Sequence, residues 1–168
     1  ITIPGFAQDA QGNLYAGTNA GANSDADTCK NIGIGESAGC LLTSGDHNVF
    51  LGWRAGASST DSGCNVMIGK GAGAYHTDNG QHNVFLGPYA GRSATGNDNS
   101  IIIGHYAGAK ADANNAIILG ACAGCCLTSS GDNTFAAGYQ AARYMTSGMS
   151  NIAIGPSALK GDGTTAPT

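Results

Sequence analysis

Charge is what this sequence has least of. Asp, Glu, Lys and Arg make up 11% of its 168 residues, and seven basic residues sit under a net charge of −4. That balance predicts no basic face and no nucleic-acid partner. Glu36 is the only glutamate, and the ten Asp fall mostly in turn-like segments, so paired-carboxylate chemistry has few candidates. No apolar run approaches the roughly 18 residues of a membrane-spanning helix. The longest, Ala116 to Leu127, is broken by Gly120 and Gly124, and no membrane insertion is expected. Four prolines without a three-residue glycine period exclude collagen. Asn-x-Ser/Thr is absent as well, which leaves no acceptor for N-glycosylation. Apolar residues nevertheless reach 42%, too many for a disordered chain.

Glycine is abundant, with 28 residues, or one in six. A helical domain would not accept this, since each helical glycine costs up to about 1 kcal/mol against alanine. The glycines follow a repeat. Asn, apolar, any, apolar, Gly, two variable residues, Ala and Gly recur nine times, starting at Asn13, Asn31, Asn48, Asn65, Asn83, Ser100, Ala116, Thr134 and Asn151. Spacings are 16 to 18 residues, position five is always Gly, and position eight is always Ala. A unit this short reads as one coil of a parallel β-solenoid, an all-β roll of about nine coils. At about 4.8 Å per coil it forms a rod on the order of 40 Å long. The repeat spans residues 13–160, with a lead-in at 1–12 and a linker-like tail at 161–168. The Gly column predicts a bend needing φ > 0 or a close neighbour, and the Ala column a narrow interior. Asn at position one predicts a stacked amide ladder. Position thirteen adds a turn column of Thr43, Thr60, Thr77, Thr95, Thr128 and Thr146.

The strand carries apolar residues at positions two, three and four. If two and four face inward, Phe50, Met67, Phe85, Ile102 and Ile118 at position three form an exposed stripe, the mark of an interface. Position three is therefore expected to meet other copies around a shared axis. The opposite orientation, with position three inside, stays open because neither invariant column decides between them.

The run Asn-Val-Phe-Leu-Gly, then Ala-Gly, then a polar glycine-containing turn resembles the repeats of phage and viral tail-fibre proteins. More loosely, it is similar to the heads of YadA-like trimeric autotransporter adhesins. The resemblance covers residues 13–160 and implies a homotrimer of β-rolls, extracellular or on a virion surface. The function it implies is non-enzymatic: a rigid attachment fibre whose partner is a host- or cell-surface glycan or receptor.

Candidate chemistry is sparse. Trp53, Arg54, Tyr89, His105, Tyr106 and Tyr139 occupy the variable pair after the invariant Gly, where exposed aromatics suit sugar stacking or packing on a neighbouring subunit. His47, Cys64 and His82 each precede position one, so stacking puts zinc-type ligands in one column; a solvent-facing corner is the competing reading. Calcium at the Asp-rich turns is the other metal considered, but the nonapeptide pattern of calcium-binding rolls is missing. No cofactor is expected. Six cysteines, three of them Cys122, Cys125 and Cys126 in one coil, allow packing, a disulfide or free thiols. Two rival functions remain: an ice-binding solenoid, for which one Thr column is too few, and a polysaccharide-degrading spike, for which no coil holds a carboxylate pair.

Overall fold

The computed structural model describes residues 8–77, 80–127, 132–145 and 148–161. Thr128 and Thr146 of the threonine column, and the tail after Gly161, lie outside the described residues. Nine three-residue strands follow in chain order: β1 (Leu14–Ala16), β2 (Ile32–Ile34), β3 (Val49–Leu51), β4 (Val66–Ile68), β5 (Val84–Leu86), β6 (Ile101–Ile103), β7 (Ile117–Leu119), β8 (Phe135–Ala137) and β9 (Ile152–Ile154). They form one parallel sheet in sequence order, wound as a solenoid of about eight turns. Register is unshifted throughout: Val49, Phe50 and Leu51 face Val66, Met67 and Ile68, and these face Val84, Phe85 and Leu86.

Each coil bends at four backbone positions with positive φ: the residue before position one, and positions five, seven and nine. Position five is Gly for two reasons at once. At Gly52 φ is +129°, and a methyl there would lie 2.7 Å from the Gly69 carbonyl oxygen of the next coil. The backbones pass too closely for any Cβ. The residue before position one and position seven adopt φ near +55° to +60° with ordinary side chains, including His47, Cys64, Arg54, Tyr89 and Tyr106. Each such residue costs on the order of 1 kcal/mol. Rows of hydrogen bonds between coils offset this, as where Arg54 N–H donates to Glu36 C=O at 2.9 Å and Tyr89 N–H to Lys70 C=O at 2.8 Å.

The orientation of the strands corrects the expected interface. Phe50, Met67, Phe85, Ile102 and Ile118 are completely buried inside the single chain, packed with the Ala column and Leu42, Leu127 and Met145. They cannot form a contact with another copy. Position three points inward because Ala at position eight and Gly at position nine leave a hollow that only its side chain fills. A Cβ at Gly39 would meet the Phe50 ring at 2.7 Å, and one at Gly91 would meet the Phe85 ring at the same distance. Positions two and four face outward instead, with Ile32, Ile34, Ile68, Ile101, Ile103 and Ile117 each about 36–37% exposed.

Asn13, Asn31, Asn48, Asn65 and Asn83 do stack, fully buried. Amide-to-amide bonds run from Asn31 Nδ2 to Asn13 Oδ1 at 3.1 Å and from Asn48 Nδ2 to Asn31 Oδ1 at 3.0 Å. The ladder also runs from side chain to backbone at every step. Each Oδ1 accepts the N–H of the next coil's position-one residue at 2.8–3.0 Å. Each Nδ2 donates to a turn carbonyl of its own coil, Asn65 to Gly80 at 2.9 Å. Ser100 reproduces both contacts with one hydroxyl, accepting from Ala116 N–H and donating to Ala113 C=O. Asn65→Ala strands a buried N–H and a buried C=O, for an expected loss of about 2–4 kcal/mol. Asn65→Ser should lose less than half of that; urea unfolding of the two variants checks the order.

Candidate functional site

Two sides of the coil differ in charge. Arg54, Lys70, Arg92, Lys110, Arg143 and Lys160 occupy positions six to eleven, which leaves Lys30 as the one remaining cation of seven. Of the acidic residues only Glu36 lies in those positions, and the aspartates gather in the turns beyond them. The net charge of −4 therefore conceals a cationic edge, contrary to the expectation of no basic face. The invariant Ala at position eight and the Gly at position nine, replaced only by Ala142 and Leu159, bend the chain tightly, which brings positions six and seven beside ten and eleven.

That bend builds an aromatic and cationic strip along coils three to six. Arg54 lies over the Trp53 ring at 5.6 Å and over the Tyr75 ring at 5.5 Å. Lys70 lies 5.4 Å from the Trp53 ring centroid and 5.8 Å from that of Tyr89. Arg92 lies 5.1 Å from Tyr75 and 5.5 Å from Tyr89. Tyr89 stacks on Tyr106 at 4.8 Å, and His105 meets Tyr106 edge-on at 4.6 Å. The structure thus unites Trp53, Arg54, Tyr89, His105 and Tyr106. Tyr139 stands apart, exposed and accepting a hydrogen bond from Gln140 Nε2 at 3.0 Å. Lys70, Tyr75 and Arg92 belong to the strip but escaped the sequence reading. Their signal was present: Lys70 holds position six itself, and Arg92 and Tyr75 hold positions ten and eleven, which are as variable as six and seven.

A neighbouring cleft of about 230 Å³ is lined by Arg92, Tyr106, Lys110, Cys122, Cys125, Cys126 and Arg143. All six cysteines are free thiols. Burial pushes the Cys125 thiol up, and the adjacent Cys126, whose sulfur lies 3.4 Å away, pushes in the same direction. A thiol held neutral in this way is a poor nucleophile.

His47, Cys64 and His82 form the column expected of them, exposed and at φ of 58–60°. Their N–H groups hold the preceding coil, as when Cys64 donates to Asp46 C=O at 2.9 Å. Among the described residues no three His, Cys, Asp or Glu side chains come together as a metal site, so the zinc arrangement is not assembled here, nor is a calcium cage in the turns. The turn aspartates cap neighbouring coils: Asp46 accepts from Cys29 N–H at 2.6 Å, Asp98 from Gln81 N–H and Asp132 from Asn114 N–H, both at 2.7 Å.

No protein-family model matches the sequence, and neither a curated protein nor a solved structure matches it.

Proposed function

We propose that the chain is a non-enzymatic structural segment, a rigid rod that assembles as a homotrimer and serves as an attachment fibre at a virion or cell surface. The observation carrying this reading is the outer sheet face. Positions two and four are apolar in all nine strands, from Leu14 and Ala16 to Ile152 and Ile154, with no charge among them. Nine strands about 4.8 Å apart, on a face roughly 12 Å across, present on the order of 500 Å². That is near the top of the range for a monomer's largest apolar patch. Other copies of the chain are the occupants that fit. The face is long, straight and two columns wide, so each chain can give one column to each of two neighbours. Such head-to-tail contacts close into a ring, and the smallest ring is three. The tail-fibre resemblance supports the same number.

Light scattering of the purified chain should give about 50 kDa, three times 16.6 kDa. Ile101→Asp combined with Ile103→Asp should reduce the mass to that of one chain and leave the β-sheet circular dichroism intact, because both side chains are at the surface. A wild-type monomer at micromolar concentration would sink the assembly.

A further inference from the structure

The six cation–ring contacts close on themselves. Trp53, Arg54, Tyr75, Arg92, Tyr89 and Lys70 alternate ring and cation around a complete circuit, and each cation lies within 5.8 Å of two rings. Any two of the cations share a ring, which keeps them within about 11 Å of each other. That is close to the screening length at physiological ionic strength, so the three charges repel. Five of the six members, all but Lys70, line a depression of about 80 Å³ together with Gly71, Ala74 and no carboxylate. Among the described residues none of the three cations forms an ion pair with a carboxylate of the chain.

Concentrated, unneutralised cations around a small hollow fit an oxyanion, whose oxygens take charge-assisted hydrogen bonds from guanidinium and ammonium groups. The rings already carry cations, and Tyr89 also carries Tyr106. They act as struts that hold the charges, with little face left for stacking a nucleobase or a neutral sugar. Arg92 also lines the larger cleft, where Lys110 and Arg143 continue the charge. From Arg54 to Arg143 the cations extend over coils three to eight, roughly 24 Å at 4.8 Å per step. A single small anion would use only one end of that line.

We propose that this ring is an oxyanion site and that, with Lys110 and Arg143, it binds a linear polysaccharide bearing sulfate or carboxylate groups along its length. The proposal names a ligand for the attachment role and rests on that reading for its setting, though the site lies on a different face from the assembly surface.

Trp53 is the only tryptophan, so its fluorescence reports on the ring directly. The full chain is titrated with dextran sulfate, neutral dextran, inorganic sulfate and a single-stranded thymidine oligonucleotide, and its mass is measured by light scattering on the same samples. Dextran sulfate should change the emission at a concentration at least about a hundredfold below inorganic sulfate, and neutral dextran should do nothing. Lys70→Gln and Arg92→Gln should each weaken binding about tenfold and flatten its salt dependence by about one unit of slope. Lys30→Gln, off this edge, should leave both unchanged. Lys70 is exposed, so its variant keeps the test valid even if Arg92→Gln fails to fold. The proposal is overturned if dextran sulfate gives no response, if free sulfate acts at the same concentration, if the oligonucleotide binds more tightly, or if Lys30→Gln matches Lys70→Gln. A trimer that ignores dextran sulfate overturns the site and leaves the assembly standing. A monomer that binds it does the reverse.

Discussion

Phe50→Asp is expected to prevent folding, while a carboxylate at Ile101 is tolerated. Phe50 is wholly buried, its ring seated against Gly39 and Gly56 in the hollow of its coil. Removing a buried phenyl ring costs about 3–5 kcal/mol. Breaking the packing with an unpaired buried charge adds several more. Against a total of roughly 5–15 kcal/mol for a folded domain, little stability would remain. The loss falls in the third coil, so it splits the stack rather than fraying an end. Circular dichroism and thermal melting of Phe50→Asp beside Ile101→Asp provide the comparison. A Phe50→Asp chain that melts like the wild type would show that position three does not face inward.

Gly52→Ala should be much more damaging than Gly155→Ala, although both glycines hold position five of the repeat. Their conformations are alike, with φ of +129° and +111°. Forcing alanine into such a conformation costs about 1–3 kcal/mol at either site. The surroundings differ. At Gly52 the new methyl would press on the Gly69 carbonyl, whereas at Gly155 nothing lies within 4 Å. Backbone on both sides of the Gly52 contact is held by the ladder and cannot yield. At about 2–4 °C per kcal/mol for a chain of this size, Gly52→Ala should lower the melting temperature by about 10 °C or more, and Gly155→Ala by less than about half of that. Equal shifts in a calorimetric scan would assign the whole glycine requirement to conformation and none to close approach.

The solenoid was legible because Gly and Ala columns are backbone constraints, and backbone constraints repeat with every coil. Strand orientation was harder, since apolar residues fill positions two, three and four alike and alternation carries no sign. The telling difference was size. Position three also holds Gly33, Ala136 and Ala153, and the Tyr15 ring fills the space that Gly33 leaves, with a Cβ there only 2.6 Å from it. Compensation of that kind belongs to an enclosed interior; a surface column has no need of it. The two left-handed columns that hold only one glycine each, Gly12 and Gly71, left little compositional trace, because Tyr89 and Cys64 do not advertise positive φ. Half of the cationic ring was named from sequence. Tyr75 and Arg92 were not, because adjacency across the Ala-Gly bend depends on those same backbone angles. Lys70 was not either, because its variable pair, Lys70 and Gly71, carries no aromatic.

Each strand touches only the strands before and after it, and register never shifts. Length can therefore be gained or lost in whole coils without disturbing the cross-section. An inserted coil would move everything beyond it along the axis by about 4.8 Å and leave every column intact. A partial insertion in the strand side would instead turn the remaining side chains inside out. The variable turns, where coils of 16 and 18 residues coexist, are where sequence can drift without changing the ruler. Seen in this way the molecule is graduated: the separation between any two surface groups is fixed by how many coils lie between them.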